Sequence, residues 1–548
     1  MLSLIWSKNH RTTTAHKNRS RFRPRVEVLE DRCLPSGGVL DPTFGSGGLV
    51  SSTAGGLETL AMATGSDGKV IVAGIAGVSQ KGSSYNEFAV ARFNLDGTLD
   101  TSFGGTGEVT TILTTVKNGG WARDVAIQPD GKIVAAGQAF YGFALVRYNA
   151  DGTLDKTFGS NGTGIVVTSI GRNTFDAAYR LALQPDGKIV VAGKSDGNVA
   201  VARYTSSGAL DTSFGTGGKV TTQLAFPLDF GGPTATWMDL ALDVSALDPN
   251  AGKIVVTTRV STTTGISDVV VRYNANGSLD RSFAAGAGYE TFSNLKSIPS
   301  VAIQSDGRII LAGNHYGVLG WPMELDRLNP DGSFDKTFGS GGIVAVTPPA
   351  NALYFTRDVA LQSDGKIVVG GIYASTVTNE QDLLLARLNS ADGSVDASFG
   401  AGGVAHAPGL QVGNSPGEVA FEPDGRIVVA GMLPGGVGIA LARFLAAGPQ
   451  IGSFTANPNP ATAESNLTLT AGNITDANPG ATITQVAFYY IDTSGNQQLM
   501  GNGAQTSSGV WTYTFTVNLT SGSYTLLAQA EDSDGVFGDP VAITLTVS

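Results

Sequence analysis

The chain has 548 residues, including 74 glycines and a single cysteine, and its formal net charge is −11 at pH 7. This length exceeds one ordinary domain and predicts several folding units or one large repeat array. The lone Cys33 excludes an internal disulfide framework and a cysteine-based zinc site. No run of about 18 apolar residues occurs, so we expect no transmembrane segment.

The charge is distributed unevenly along the chain. Residues 1–38 hold eight Lys or Arg and three Asp or Glu, a net charge of +5, which leaves −16 for the remainder. An acidic body lacks the clustered basic surface that neutralises phosphates, so we expect no nucleic-acid partner. Short runs of Val, Ile, Ala and Thr alternate with glycine-rich clusters, and this pattern predicts an all-β fold.

Residues 1–36 form a basic N-terminal segment. Ser7 and Lys8 follow the apolar opening at once, so there is no apolar stretch of the length found in secretory signals. The tract from Arg21 to Ser36, centred on the residues Leu29-Glu30-Asp31-Arg32, resembles a short N-terminal motif of large planctomycete surface and secreted proteins. The resemblance implies a targeting segment, and a disordered basic tail is the alternative.

Residues 37–445 contain a repeated unit, which is clearest around residues 124–168. Asp130 and Gly131 make a turn between its first two predicted strands, and a second turn, with Asp151 and Gly152, follows the third. The four predicted strands are Asp124–Gln128, Ile133–Gly137, Phe143–Tyr148 and Ile165–Thr168. A unit of four strands corresponds to one blade of a β-propeller.

Two residues recur in step with this unit. The third predicted strand of each unit contains an arginine: Arg92, Arg147, Arg203, Arg272, Arg327, Arg387 and Arg443. An Asp-x-x-Phe element contains an aspartate in each unit: Asp41, Asp100, Asp155, Asp211, Asp280, Asp335 and Asp396. Because a catalytic site needs one special constellation, residues that recur in every unit favour a structural role, and we expect each arginine to pair with an aspartate.

The two series are out of phase at the ends of the repeat region. Asp41 has no arginine strand before it, and Arg443 has no Asp-x-x-Phe element after it, so each end lacks what the other supplies. Placing the N-terminal strand beside the last three strands completes a seventh unit and removes exposed sheet edges. The phase therefore predicts a seven-bladed β-propeller closed by the N-terminal strand.

The repeat residues also resemble a known family. The strings Gln-Pro-Asp-Gly-Lys-Ile-Val-x-Ala-Gly and Arg-Tyr-Asn-x-Asp-Gly-x-Leu-Asp-x-x-Phe-Gly are similar to the delta-60 repeats of bacterial β-propellers. The fourth unit departs from this pattern, with Asp248–Gly252 at the turn and Thr257-Thr258 where Ala-Gly is usual. The resemblance implies a propeller of exported proteins and supplies no common reaction or ligand.

Residues 446–450 are a predicted linker, and residues 451–548 form a separate module. Its predicted strands are Leu467–Thr470, Gln485–Ile491, Trp511–Val517, Tyr524–Ala530 and Ala542–Val547. With Trp511 placed to fill a sandwich centre and Tyr524 at the start of a late strand, we expect an immunoglobulin-like β-sandwich without a disulfide. The run from Tyr524 to Gly535 resembles bacterial Ig-like or cadherin-like surface repeats, which implies a spacer or adhesive unit.

Few residues offer site chemistry. We expect no catalytic residue; the insertion at Asn314 with His315, Tyr316 and Trp321 interrupts the repeat and is the candidate ligand contact. Calcium is the cofactor to consider. Candidate ligands in the C-terminal module are Asp532, Asp534 and Asp539, and in the repeats the segment Asn149–Asp155; solvated or structural turns are the alternative at both places.

These observations predict an exported, non-enzymatic binding or structural and adhesion protein of the bacterial cell surface. The propeller would be a rigid platform whose partner is a protein or polysaccharide at the cell exterior. The alternative is a polysaccharide lyase or hydrolase with acidic residues in the propeller pocket. An enzyme predicts acidic residues gathered at one place, whereas a scaffold predicts near-sevenfold equivalence.

Overall fold

The computed structural model describes most of the chain from residue 37 onward. The described residues are 37–53, 56–80, 83–113, 120–139, 142–171, 176–228, 238–244, 252–262, 265–292, 300–315, 321–413, 417–445, 448–476, 482–491, 497–533, 537–538 and 540–548. The predicted N-terminal segment, residues 1–36, lies outside this set. Within the set, the secondary structure is β apart from one turn of 3₁₀-helix, Ala284–Gly286.

Strand β1 (Leu49–Ser52) is followed by three antiparallel four-stranded sheets in chain order. Sheet 1 contains β2 (Leu57–Thr64), β3 (Val70–Gln80), β4 (Ser83–Phe93) and β5 (Glu108–Thr111). Sheet 2 contains β6 (Trp121–Ile127), β7 (Ile133–Ala139), β8 (Gly142–Tyr148) and β9 (Ile165–Thr168). Sheet 3 contains β10 (Ala177–Leu183), β11 (Ile189–Ser195), β12 (Asn198–Tyr204) and β13 (Lys219–Thr222).

Four further sheets of the same kind follow. Sheet 4 contains β14 (Met238–Leu242), β15 (Ile254–Thr262), β16 (Gly265–Tyr273) and β17 (Tyr289–Phe292). Sheet 5 contains β18 (Ser300–Ile303), β19 (Ile309–Asn314), β20 (Met323–Leu328) and β21 (Ile343–Val346). Sheet 6 contains β22 (Ala352–Leu361), β23 (Ile367–Ser375), β24 (Gln381–Leu388) and β25 (Val404–His406). Sheet 7 contains β26 (Glu418–Phe421), β27 (Ile427–Met432), β28 (Ile439–Phe444) and, at its edge, β1.

The turn between the first two strands of a sheet explains the repeated Asp-Gly pair. In sheet 2, Gly131 has φ +80°, a conformation that glycine adopts without a steric penalty. The Asp130 carboxylate accepts a hydrogen bond from the Lys132 backbone N–H at 3.2 Å. The glycine conformation and this hydrogen bond together stabilise the tight turn of the hairpin.

The first strands of the seven sheets contact one another in sequence. Each of β2, β6, β10, β14, β18 and β22 contacts the first strand of the following sheet, and β26 contacts β2. Strand β1 pairs antiparallel with β28, with Leu49 opposite Ala442 and Ser52 opposite Ile439. The two ends of the repeat region therefore share sheet 7.

The seven recurring arginines and aspartates form seven ion pairs. Each arginine Nε lies 2.6–2.9 Å from its aspartate: Arg92–Asp100, Arg147–Asp155, Arg203–Asp211, Arg272–Asp280, Arg327–Asp335, Arg387–Asp396 and Arg443–Asp41. Each guanidinium also lies 4.4–4.8 Å from the centre of the phenylalanine ring of the same Asp-x-x-Phe element. We call each set an Arg–Asp–Phe cluster.

These clusters also link each sheet to the next. Among the described residues, Nη1 of an arginine donates a hydrogen bond to a backbone carbonyl in a turn of the following sheet at six places: Ala150, Ser206, Ala275, Pro330, Ser390 and, from Arg443, Leu95. The link from Arg443 runs from sheet 7 to sheet 1. One buried cation thus satisfies hydrogen-bond acceptors in two sheets at once.

A second cation reaches each aspartate of these clusters. It is the basic residue of the Asp-Gly turn or its equivalent: Lys69, Lys132, Lys188, Lys253, Arg308, Lys366 and Arg426. Burial raises the pKa of Asp396, but hydrogen bonds from Lys366 and Ser398 and the charge of Arg387 outweigh it and lower this pKa to about 2. The carboxylate is therefore ionised over the physiological range.

A different charge cluster lies among the first strands. Arg180 of β10 lies 3.1 Å from both Asp239 of β14 and Glu418 of β26. The Glu418 carboxylate also accepts a hydrogen bond from the Met62 backbone N–H at 3.0 Å, which joins β26 to β2. Burial raises the pKa of Glu418, and Arg180 opposes this effect.

The same pattern of bonding occurs at three other first strands. Asp124 accepts a hydrogen bond from the backbone N–H of Leu181 in the following sheet, Asp239 from Val301 and Asp358 from Val419. We call these four carboxylates and Arg180 the central cluster. Each of its carboxylates holds the first strand of the following sheet.

The C-terminal residues form two further four-stranded sheets. The first has the order β29 (Gln450–Asn457), β30 (Asn466–Thr475), β34 (Val510–Thr516) and β33 (Ala504–Ser507). The second has the order β32 (Gln497–Asn502), β31 (Ile483–Ile491), β35 (Gly522–Asp532) and β36 (Val541–Val547). Side chains of both sheets, including Phe454, Trp511, Phe488 and Leu526, share one buried core.

The structure differs from the sequence predictions mainly in the C-terminal module. Strands β29, β32 and β33 were not predicted, because two of them are short and β29 follows directly on the predicted linker. Sheet 4 keeps four strands despite its unusual turn and Thr257-Thr258. Within the described residues, we find no helix with the length and apolar character needed to cross a membrane.

The Arg443–Asp41 pair joins chain segments 402 residues apart, and its loss should release β1. We expect Arg443→Met to lower the free energy of unfolding by about 3 kcal/mol, because the buried Asp41 loses one of its two cations. Denaturant unfolding would measure the loss, and hydrogen exchange should accelerate at Leu49–Ser52. Lys156→Met, which removes an exposed lysine, is the matched control; equal effects in both variants would contradict the assignment.

The lowered pKa of Asp396 predicts how stability depends on pH. A carboxyl with a folded-state pKa of about 2 stabilises the fold fully above its ordinary value of 3.8 and loses this contribution as the pH falls toward 2. We expect Asp396→Asn to flatten the acid limb of the stability curve between about pH 4 and pH 2. Denaturant midpoints measured at each pH test this, and an unchanged acid limb would show that Asp396 is not responsible.

Candidate functional site

The third strand of each sheet turns one face toward the preceding sheet. In six sheets the residue directly before the arginine is apolar: Ala91, Val146, Ala202, Val271, Ala386 or Ala442. The residue three positions before the arginine is also apolar in these sheets: Ala89, Ala144, Ala200, Val269, Leu384 or Ala440. In sheet 5 the same two positions are Asp326 and Glu324, and both residues are buried. Two core positions have therefore become acidic in one sheet.

Sheet 4 presents acidic residues to the same interface. On its fourth strand, Glu290 takes the position that holds Val50, Val109, Val166, Val220, Val344 or Ala405 in the other sheets. On its third strand, the buried Asp268 takes the position of Phe143 in sheet 2. Four acidic side chains thus replace apolar ones at one interface between sheets.

This replacement coincides with a cavity of about 640 Å³ between sheets 4 and 5. Its described lining residues include four acids, Glu290, Glu324, Asp326 and Asp331. The rest of the lining is apolar or neutral: Ser282, Ala284, Ala285, Thr291, Phe292, Gly332, Ser333, Phe334 and Ile343. We call this cavity the acidic pocket, and its volume is typical of small-molecule sites.

Asp326 is the acid with the most unusual surroundings in the acidic pocket. It is only 1% exposed, and its Oδ1 is buried without a hydrogen-bond partner in the structure. Burial, together with the neighbouring carboxylates Glu324 and Asp268, raises the pKa of Asp326 to about 8. At neutral pH this carboxyl retains its proton in a large fraction of molecules.

Two of the neighbouring acids have nearby bases. The His315 Nδ1 lies 2.7 Å from the Glu324 carboxylate. Behind the pocket, Arg259 of β15 lies 3.6 Å from the Asp268 carboxylate on the adjacent strand β16. These contacts partly balance the charges of Glu324 and Asp268.

The acidic pocket also has an aromatic wall. The Phe292 and Phe334 rings contact edge to face, with their centres 5.8 Å apart. Among the described residues, no group of three or more His, Cys, Asp or Glu side chains is arranged to hold a metal ion.

His315 and Trp321 of the predicted ligand contact have different neighbours in the structure. His315 contacts Glu324 of the acidic pocket, whereas Tyr316 lies outside the described residues. Trp321 has φ +48° and packs edge to face on Phe355 of sheet 6, with the ring centres 5.3 Å apart. Of the predicted group, His315 is the residue that the structure places beside the pocket.

Of the three predicted calcium ligands in the C-terminal module, the described residues include Asp532. Asp532 is buried at the end of β35, and Asp534 and Asp539 lie outside the described residues. In the repeat turn at Asn149, the Asp151 carboxylate accepts hydrogen bonds from the Thr153 backbone N–H and hydroxyl at 2.9 and 2.6 Å. Asp151 therefore has a structural role in the turn.

A second cavity, of about 480 Å³, lies in the C-terminal module. Its described lining residues are uncharged: Tyr490, Met500, Tyr513, Phe515, Thr516, Asn518 and Leu519. The Tyr513 and Phe515 rings stack with their centres 5.8 Å apart. We call this cavity the aromatic cleft, and it differs from the acidic pocket in having no charged lining residue among those described.

Glu290, Glu324 and Asp326 were not among the residues predicted from the sequence to form a site. The signal was present, since each occupies a position that is apolar in the other six repeats once the repeats are aligned on the arginine. The turn glycines and the arginines recur in every repeat, whereas these three acids occur at their positions in one repeat each. Only the structure brings strands β17 and β20 of consecutive sheets against one cavity.

Five segments of the chain match a family model described as a domain of unknown function (DUF5122) β-propeller. The matched residues are 65–103, 128–158, 184–214, 252–283 and 362–399. The matched segments are therefore similar to the β-propeller repeats of that family. Residues 284–361, which include the acidic strand of sheet 5, lie between matched segments of these β-propeller repeats. No curated protein matches the chain.

Solved structures that resemble the β-propeller repeats differ widely in their described activities. The structure of Drosophila plexin A with semaphorin 1b is 10% identical, with 70% of this chain and 87% of that chain covered and a TM-score of 0.34. The GH93 α-L-arabinofuranosidase of Fusarium graminearum is 12% identical, with 74% and 97% covered and a TM-score of 0.34. A protein of unknown function from Dyadobacter fermentans is 12% identical, with 73% and 99% covered and a TM-score of 0.35. At these scores the likenesses carry no inference about this chain.

Asp326 should lower the stability of the protein above the pH at which the unfolded chain ionises this carboxyl. Its folded-state pKa of about 8 lies above the ordinary 3.8, so the stability of the protein falls as the pH rises between these values. We expect Asp326→Asn to raise the melting temperature at pH 8 and to have little effect at pH 4. Scanning calorimetry at both values measures this. Asp364→Asn, at an exposed turn, should show no such pH dependence, and an equal gain in both variants would contradict the assignment.

Proposed function

We propose that the chain is an exported binding protein of the cell exterior whose acidic pocket holds a carbohydrate ligand. One observation carries this proposal: four acids replace apolar residues at one interface of an otherwise repeated core, around a cavity of about 640 Å³. A purely structural role would not require this departure, because the other interfaces are filled by apolar side chains.

We infer that the seven sheets are the blades of a closed propeller, which provides a rigid platform for the pocket. The cyclic contacts of the first strands, the pairing of β1 with β28 and the bond between Glu418 and Met62 support closure. Closure leaves no exposed sheet edge at the junction. A rigid ring would hold the walls of the acidic pocket at a constant separation.

We infer further that the C-terminal module is immunoglobulin-like. The strand orders β29-β30-β34-β33 and β32-β31-β35-β36 correspond to the two sheets of that fold. The Tyr524 hydroxyl donates a hydrogen bond to the Thr520 carbonyl at 2.8 Å, as does the tyrosine corner of such domains. In this proposal the module is a spacer or adhesive unit, and the N-terminal segment directs export.

The chemistry of the pocket supports a carbohydrate. Carboxylates accept pairs of hydroxyl hydrogen bonds, and the apolar face of a sugar ring packs on an aromatic side chain such as Phe292 or Phe334. The cavity volume of about 640 Å³ falls within the range that small ligands occupy. Binding at the pocket accounts for both the acids and the aromatic wall.

A second candidate function is glycoside cleavage. It is favoured by the raised pKa of Asp326, about 8, because a carboxyl that keeps its proton can be a general acid. Glu324, two residues away on β20, would be the second carboxylic residue. Binding is preferred because His315 already contacts the Glu324 carboxylate.

The test is to screen the full chain against bacterial and algal polysaccharides and their oligosaccharides, and to assay any released reducing sugar. We expect saturable binding without release, and we expect Glu324→Gln/Asp326→Asn to weaken it at least about tenfold. Sugar release by the wild type that disappears in the double variant would replace binding with catalysis.

The matched control is Tyr490→Ala, in the aromatic cleft of the C-terminal module. It should leave binding at the acidic pocket unchanged. Binding that is lost with Tyr490→Ala and kept in the double variant would place the carbohydrate site in the C-terminal module. Binding to none of the carbohydrates would overturn the proposed ligand class.

A further inference from the structure

We propose that the group recognised by the acidic pocket is a protonated primary amine carried by the ligand. This inference rests on the proposed ligand site and names the chemistry of its ligand. It follows from the charge, the unpartnered carboxyl oxygen and the aromatic wall of the pocket. None of these features requires a sugar by itself, so an amino sugar and an aliphatic polyamine are both candidate sources of the amine.

The acidic lining of the pocket favours a cationic ligand. Its described lining includes Glu290, Glu324, Asp326 and Asp331 and contains no lysine, arginine or histidine. Two described bases beside it are engaged, since His315 contacts Glu324 and Arg259 lies 3.6 Å from Asp268. A neutral ligand would leave this excess of negative charge without compensation in a partly desolvated site.

The carboxyl of Asp326 would receive the cation. The side chain lines the cavity, and its Oδ1 is buried and has no hydrogen-bond partner in the structure. An unsatisfied buried acceptor costs about 1–3 kcal/mol, which a donor from a ligand would recover. Glu324, two residues along the same strand and on the same face, can accept a second hydrogen bond.

A primary ammonium group suits this arrangement better than a metal ion. It has three donors that separate acceptors can share, whereas a metal ion needs several ligands at one short distance. Among the described residues no such metal-holding group exists. The Phe292 and Phe334 rings add a wall that attracts a cation and packs on the carbon skeleton attached to it.

The protonation of Asp326 provides a second readout. Burial and the carboxylates of Glu324 and Asp268 raise its pKa to about 8, so at pH 6.5 the free protein holds this proton. A bound ammonium favours the ionised carboxylate, so binding should release a proton to the buffer. Glu290, Asp331, His315 and Arg259 also face or flank the site, and the Asp326→Asn variant separates their contribution from that of Asp326.

The experiment is calorimetric titration of the full chain at pH 6.5 in two buffers of different ionisation enthalpy. The ligands are a β-1,4-linked glucosamine oligomer, its fully N-acetylated counterpart and spermidine. We expect the glucosamine oligomer to bind with proton release and the N-acetylated oligomer to bind at least about tenfold more weakly, because acetylation removes the charge. Spermidine binding alone would assign the amine to a polyamine.

Two variants test the location. Asp326→Asn should abolish proton release and weaken amine binding about tenfold or more, and it should fold because the carboxyl that it replaces is protonated in the free protein at this pH. The exposed-turn variant Asp364→Asn should behave as the wild type. Amine binding that is equal in wild type and Asp326→Asn would overturn the inference.

The outcomes also separate this inference from the proposed function. Equal binding of the glucosamine and N-acetylated oligomers, lost in Glu324→Gln/Asp326→Asn, would overturn amine recognition and keep the carbohydrate site. Binding of spermidine without either oligomer would keep amine recognition and overturn the carbohydrate ligand. If none of the three ligands binds, amine recognition is wrong, and the polysaccharide screen then decides the proposed function.

Discussion

The repeat region depends on the buried arginine of each third strand. Its guanidinium pairs with the aspartate of its own sheet, lies over a phenylalanine ring and, in six sheets, bonds a turn carbonyl of the following sheet. A planar group with five donors can satisfy several acceptors at once, and lysine lacks this geometry. Because Arg443 and Asp41 make the same contacts across the chain ends, the junction is built like every other interface.

This repeated anchoring explains how one interface can depart from the rest. Between sheets 4 and 5, Glu290, Glu324 and Asp326 replace apolar residues and a cavity takes the place of packed side chains. The Arg–Asp–Phe clusters of both sheets remain in place, with Arg272–Asp280 and Arg327–Asp335 at 2.6 and 2.8 Å. The loss of packing is therefore local.

The two groups of buried acids differ in how their charge is satisfied. In the central cluster, the Glu418 carboxylate is held by Arg180 and by the backbone N–H of Met62, so its function is to join strands. In the acidic pocket, Asp326 lines a cavity and its Oδ1 has no such partner. Similar residue types therefore have different roles, and the difference lies in their hydrogen-bond partners.

The sequence by itself determined the four-stranded unit, its sevenfold recurrence and the phase that brings Asp41 to Arg443, because turn residues and alternating strands are local signals that repetition reinforces. It also singled out His315, which lies beside the pocket. Only the tertiary structure decided which acids meet. Glu290 and Asp326 belong to different repeats, and whether a buried carboxyl finds a partner or a cavity depends on the packing of consecutive sheets, which no local pattern encodes.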